Sequence, residues 1–322
     1  MNRGGMAFLA LAAALSMPGA ARLETIAAAS QSAVKAAYAT KAPLLGIAWA
    51  GARLVAVGDY GVAILSDDRG KSWRQASSVA TRNMLTAVTF VDAKTGWAVG
   101  HGGIVLRTAD GGETWTKNYS AGNDVALLSV WFENARHGIV AGAFGFAIAT
   151  MDGGATWKEF AVGEGDERDR HLNAIFALTG GSLFIAAEAG TLFHSADGGA
   201  TWTTLRLPYK GSLWGGLSLK DGAMLVFGMR GHALYSADQG RTWVDAPTGT
   251  DQSFSGGLQL ADGKVVLVGL GGVVATSNDG GKSFHAIVRP QRQNYSAVGE
   301  GAPGKLVVVG LNGVSAYDLT AR

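Results

Sequence analysis

The sequence predicts an all-β fold, a seven-bladed β-propeller, and three observations predict it. First, one kind of segment recurs: SDDRGKSW from Ser66, TADGGETW from Thr108, TMDGGATW from Thr150, SADGGATW from Ser195, SADQGRTW from Ser236 and SNDGGKSF from Ser277. Their third residues, Asp68, Asp110, Asp152, Asp197, Asp238 and Asp279, stand 42, 42, 45, 41 and 41 apart. That period suits one four-stranded blade per unit. Second, a small-x-x-Gly turn ending at Gly61, Gly103, Gly145, Gly190, Gly231, Gly272 and Gly313 recurs at the same spacing and makes the count seven. Third, 48 of 322 residues are Gly and only 6 are Pro, in a chain that is 48% hydrophobic. Short strands joined by tight turns need that composition.

The N-terminus reads as an export leader. Arg3 precedes an apolar run from Met6 to Leu15 and small residues through PGAA, a run too short to span a bilayer. Cleavage is expected near Ala21–Arg22, so residues 1–21 are assigned as a signal peptide. Without Cys anywhere, the chain has no lipoprotein anchor, disulfide or thiolate metal site. No later apolar run is long enough to cross a membrane, so the expected mature protein is periplasmic or secreted, monomeric and without a transmembrane segment. Residues 22–40, which contain LETIAAASQSAVKAAYA from Leu23, form an Ala-rich segment, read as a closing strand or a short helix.

Residues 41–322 form the propeller. Within one unit LTAVTFVD is a first strand, GWAVG a second, IVLRTAD a third and TWTKNY a fourth, each bounded by Gly-containing turns. The last unit stops after its third strand. The missing fourth is expected from residues 31–40, so that both termini share one blade and few strand edges stay open.

The repeated box falls between third and fourth strands. Its Asp accepts backbone N–H bonds in an Asx-type turn, and its Gly takes positive φ. Trp73, Trp115, Trp157, Trp202 and Trp243 begin the outer strands and cover the gap to a neighbour. Six equivalent copies suit fastening, since no enzyme needs six equivalent sites.

S-x-D-x-G-x-T-W is similar to the Asp-box, or BNR repeat, of sialidases, some glycanases, sortilin-type receptors and photosystem II assembly factors. The period near 41, seven units, the VGxxGxIxxTxDGGxTW pattern and the leader most resemble the photosystem II assembly factor family of cyanobacteria and plastids. Relatives occur in non-photosynthetic bacteria, frequently beside RND-type exporters. The likeness covers roughly residues 40–318. It implies that the boxes lie opposite the binding face and are not catalytic. It also implies that an Arg-rich patch binds a newly made reaction-centre subunit at the lumenal side of the membrane, with no cofactor.

A sialidase needs three Arg on the substrate carboxylate, a Tyr–Glu nucleophile pair and an acid. Before Ser66 the chain has only Arg3, Arg22 and Arg53. The six His occur singly, without metal-ligand spacing. A non-enzymatic protein is expected, without metal or cofactor. The alternative is a carbohydrate-binding or glycan-hydrolysing propeller, in which Asp59 and Glu188 would stand about 5–10 Å apart. The formal charge of +2, one less without Arg3, is too small for nucleic acid to be the partner.

Because strands alternate in direction, the small-x-x-Gly turns and the blade-to-blade connections share the face opposite the boxes. That face brings Tyr60, His101, Phe144, Glu188 and Arg230 as partner-binding candidates. Three residues before each inner strand stand Lys41, Arg82, Asp124, Asp169, Lys210, Asp251 and Arg292, all charged although only 16% of the chain is. With Arg289, the cations Lys41, Arg82, Lys210 and Arg292 are expected to bind a membrane protein with exported loops, a photosystem subunit or an RND-type transporter.

Overall fold

In the computed structural model, which describes residues 32–178 and 180–319, the strands pair in chain order into seven sheets, apart from one short added strand in blade 2. In each, the first strand lies at the channel and the later ones follow outward. Blade 1 is Leu44–Ala50, Arg53–Gly58, Ala63–Ser66 and Arg74–Gln75. Blade 2 is Leu85–Phe90, Gly96–Gly100, Ile104–Thr108 and Thr114–Ser120, with Ser78–Val79 added parallel to its outer strand. Blades 3, 4, 5 and 6 begin at Leu127, Leu172, Leu213 and Phe254. Blade 7 is Tyr295–Glu300, Lys305–Gly310 and Gly313–Asp318.

Second strands such as Gly138–Gly142 and Val265–Gly269 are buried at every residue. They read as continuous apolar runs because neighbouring blades cover both their faces. The core is accordingly seven layers, one between each pair of blades. Val55, Leu65, Leu85 and Leu106 join blades 1 and 2, and Val266, Val268, Leu306 and Val308 join blades 6 and 7. Leu44, Ala56 and Ile64 pack with Val309 and Ala39 and so close the ring.

The closure differs from the sequence expectation. The seventh sheet has three strands among the described residues. Residues 32–36 lie instead along the outer edges of blades 1 and 2: Ala33 N donates to Val79 O, in the strand added to blade 2, at 2.9 Å, and beside blade 1 Ala36 N donates to Gln75 Oε1 at 2.9 Å and Lys35 Nζ to Ala76 O at 2.6 Å. A short 3-10 turn, Ala39–Lys41, then brings the Thr40 carbonyl over Gly313. The Thr81, Tyr209 and Thr250 carbonyls sit in the same way over Gly61, Gly190 and Gly231. Among the described residues, the N-terminal segment therefore meets blade 7 through a connection, and residues 32–40 add no strand to it. The Ala-rich stretch has no two-residue alternation with which to pair, and the apolar layer between blades 7 and 1 needs none. Gln31 and the proposed signal peptide lie outside the described residues.

These carbonyl-over-glycine contacts give a stability prediction. At Gly190 φ is 67°, and a Cβ there would collide with the Tyr209 carbonyl oxygen. Gly190→Ala is expected to cost at least about 2 kcal/mol, from the left-handed backbone and the displaced connection together. Urea unfolding measures it, and an unchanged midpoint would contradict the contact.

A candidate protein-binding face

Each Asp-box is one hydrogen-bonded knot. In blade 2, Thr108 Oγ1 donates to Asp110 Oδ1 at 2.8 Å and accepts from Gly112 N at 3.0 Å. Thr114 then donates its N to Asp110 Oδ1 at 2.9 Å and its hydroxyl to Oδ2 at 2.6 Å. The other five boxes repeat the hydroxyl contact to Asp Oδ2. The principal backbone donor lies four residues on, two residues further than in a simple Asx turn. Trp115 Nε1 donates to Gly112 O at 2.9 Å, as Trp73, Trp202 and Trp243 do to their own box glycines. Trp157 differs and donates to Asn118 Oδ1 of blade 2 at 3.1 Å.

These bonds hold Asp68, Asp152, Asp197 and Asp238 at a pKa of about 2, chiefly through the hydroxyl four residues on. At Asp279 burial pushes upward, but the bonds from Ser277 and Ser283 outweigh it and the value is again about 2. Every carboxylate is saturated by its own loop, so the box end carries fastening. Only Trp115 is fully buried among the five box Trp residues.

The opposite end holds the turns and connections. His101 N donates to Met84 O at 2.9 Å there, at the far end of the Ile104–Thr108 strand from Asp110. Three of the seven turns place a bulky residue in the left-handed region, namely Tyr60 at φ 53°, Phe144 at 53° and Arg230 at 56°. Tyr60 and Phe144 are 69% and 72% exposed. Phe144 N donates to His171 Nδ1 at 3.1 Å, and the rings meet edge to face at 4.7 Å. Glu188 Oε2 accepts from His171 N at 3.0 Å. Asp59 Oδ1 accepts from Tyr60 N at 2.8 Å. The two carboxylates of the glycan alternative thus stand three blades apart, each bound to a nearby N–H.

The seven charged connection residues are all exposed at this end. Several expected cations are engaged within the chain. Arg82 Nε donates to Ser32 O at 2.8 Å, Arg289 lies 4.8 Å over the Tyr317 ring, and Lys41 Nζ lies 5.4 Å from the Tyr38 ring. Arg292 occupies a tight turn at φ 47°, its N bonded to Arg289 O. Lys210 and Arg230 come together beside Tyr209 and His232 around a cavity of about 410 Å³.

Sequence reasoning missed the residues that line the channel mouth. Every inner strand carries a β-bulge after its first residue. The bulged residues are Leu45, Thr86, Leu128, Asn173, Trp214, Ser255 and Ser296, one per blade, and all seven line a single cavity of about 580 Å³. Met84, Leu270 and Leu311 complete its apolar wall. A bulge re-aims one side chain, which is how a strand otherwise flat against its neighbours points into the channel. The same 41-residue column was readable in the sequence, but a bulge breaks the two-residue alternation used to assign faces.

The bulged residues divide by blade. Thr86 Oγ1 donates to Leu127 O at 2.7 Å, Asn173 Nδ2 to Leu213 O at 2.8 Å and Ser255 Oγ to Tyr295 O at 2.6 Å. Blades 2, 4 and 6 therefore clamp the next blade, while blades 1, 3 and 5 bring Leu45, Leu128 and Trp214. No Asp, Glu, Lys, Arg or His lines the cavity. Burial pushes the Tyr295 phenol above its ordinary value, with Arg289 acting the other way, so the mouth is uncharged at neutral pH.

Fold and boxes together define a seven-bladed Asp-box β-propeller with a turn-bearing face around an apolar mouth. More particularly, residues 118–215 match the family described as photosynthesis system II assembly factor YCF48. Among solved structures, it is similar to one titled "YCF48 bound to D1 peptide", at 18% identity and TM-score 0.69, covering 90% of this chain and 97% of that one. YCF48 from Cyanidioschyzon merolae aligns at 17% identity and TM-score 0.67, covering 87% and 96%. A streptogramin B lyase structure aligns at 10% identity and TM-score 0.73, covering 90% and 98%. At these identities the likenesses show the fold, which an enzyme also uses. No curated protein matches.

Proposed function

We propose that the protein is an exported, non-enzymatic assembly or accessory factor that binds a membrane protein through its turn-and-connection face. The observation that carries this is the family match at residues 118–215, joined to a fold-mate solved with a D1 peptide bound. The face itself supports the reading. It offers exposed aromatics, an apolar cavity and a mixed-sign charged rim, while the box end is consumed by its own hydrogen bonds. Specificity then comes from the rim and affinity from a few buried apolar contacts. Among the described residues no helix is long and apolar enough to cross a membrane, so the membrane association runs through the partner.

The test is cross-linking in membranes of the producing cell, followed by recovery of the tagged protein. Changing Tyr60 and Phe144 together to Ser is expected to lower recovery of the cross-linked membrane protein about tenfold. Met151→Ser, at an exposed residue on the box end, is expected to leave it unchanged. Equal recovery from both variants would reject this face as the site. The recovered protein itself distinguishes a D1-like subunit from an RND-type transporter.

A further inference from the structure

Among the described residues, only blade 2 gains a fifth strand, and the chain that follows this strand walls a second pocket. Ser78–Val79 runs parallel to Thr114 and Trp115 at the outer edge, and residues 80–83 then lead inward across the turn end of the blade. This connection is braced on both sides. Ala80 N donates to Trp115 O at 3.1 Å, and Arg82 Nε donates to Ser32 O at 2.8 Å. Between the connection, the Gly102 turn and the loop after Ser120 lies a cavity of about 280 Å³. Its polar side chains are Thr81, Arg82, Asn83, Lys117, Ser120 and Asn123, and it shares no residue with the channel mouth.

The lining is rich in donors and holds no carboxylate. Arg82 and Lys117 are its charged side chains, and Asp124, next in the chain after Asn123, does not line it. Lys117 Nζ and the two terminal nitrogens of Arg82 have no hydrogen bond or ion pair among the described residues. Thr81 is 5% exposed; its hydroxyl accepts from Asn83 N at 3.0 Å, and its own hydrogen meets no acceptor among the described residues. A buried donor of this kind is costly to leave unmatched. The side-chain amides of Asn83 and Asn123 converge over Gly102, where a Cβ would strike Asn83 Nδ2 and come within 3.9 Å of Asn123 Oδ1. Neither amide is bonded elsewhere among the described residues.

We propose that this pocket binds the phosphate ester of a small polyol, with the phosphate on Arg82, Lys117 and Thr81 and the polyol hydroxyls on Asn83 and Asn123. Two cations unopposed by an acid select an anion. A guanidinium, an ammonium and a hydroxyl together suit the three terminal oxygens of a phosphate better than the two coplanar oxygens of a carboxylate. Each amide offers a donor and an acceptor, the pair that a hydroxyl uses. At about 280 Å³ the pocket lies below the usual range for drug-sized ligands and fits a group of headgroup size. A phospholipid headgroup and a free phosphate ester present this same chemistry. The pocket stands apart from the mouth, and the inference does not depend on the protein-binding reading above.

Titration calorimetry of the purified protein at low salt, with glycerol 3-phosphate and with inorganic phosphate, tests it. The ester is expected to bind at least about tenfold more tightly than inorganic phosphate. R82Q combined with K117Q is expected to weaken the ester at least about tenfold, and K117Q alone, which breaks no contact within the chain, about threefold. N83A combined with N123A is expected to remove the preference for the ester over inorganic phosphate. K71Q, at an exposed cation of the box end, is expected to change nothing. Melting temperatures confirm that the variants fold. Equal affinity of the unaltered protein for ester and inorganic phosphate, no saturable binding below about 10 mM, or an unchanged affinity in folded K117Q would each overturn the proposal. Sedimentation with phosphatidylglycerol vesicles but not phosphatidylcholine vesicles, competed by glycerol 3-phosphate, assigns the ester to a lipid headgroup. Binding of the soluble ester without sedimentation assigns it to a free metabolite.

Discussion

Trp115→Ala is expected to destabilise the protein by roughly 3–5 kcal/mol, the cost of emptying a fully buried Trp site. This is the largest single-residue stability effect expected at the box end. Trp115 is 1% exposed and belongs to the layer formed by Val55, Val57 and Leu65 of blade 1 with Leu85, Ala98 and Leu106 of blade 2. Phe90 meets it edge to face at 5.9 Å, and the added strand Ser78–Val79 runs beside it. Its indole also satisfies the Gly112 carbonyl. Trp73→Ala removes the same hydrogen bond from a partly exposed ring and is expected to cost clearly less. Guanidinium unfolding of the two variants compares them. Equal losses would show that the box hydrogen bond, and not burial between blades, sets the energy.

Acidification from pH 5 to pH 2 is expected to unfold the propeller, by the combined action of its boxes. Five box aspartates have a folded pKa near 2 against an ordinary value of 3.8, and Asp110 is also lowered. A carboxyl with a depressed folded pKa gives stability that is present above its unfolded pKa. That stability is lost as pH falls through the folded value. The window is therefore about pH 4 down to about pH 2, with little change from these groups between pH 5 and pH 8. Thermal melts across that range read it. Asp197→Asn is expected to lower the melting temperature at pH 7 and to flatten the acid slope. A melting temperature that stays constant down to pH 2.5 would show that the knots do not depend on ionised Asp.

The periodic parts of the molecule were legible. Ser66 through Ser283 repeats its box chemistry six times, and the apolar runs at Gly96–Gly100 and Val265–Gly269 declare strands covered on both faces. What misled was local. A missing strand in blade 7 points to the segment before Ala39, yet the N–H groups of Ala33 and Ala36 find their acceptors at Val79 of blade 2 and Gln75 of blade 1. Of the cations expected to meet a partner, Arg82 also bonds to Ser32 O and Arg289 lies over the Tyr317 ring, contacts that no local sequence pattern declares.

The sequence by itself determined the number of units, the strand order and the end at which the boxes lie. Each of these follows from chemistry repeated within about 41 residues, where turn, cap and alternation are short-range interactions. Tertiary structure alone decided how the ring closes and what its mouth presents. Closure depends on a layer between Leu44, Ile64 and Val309, residues far apart in the chain. The mouth depends on seven bulges that turn Leu45, Leu128 and Trp214 inward only once neighbouring blades supply the carbonyls that Thr86, Asn173 and Ser255 hold.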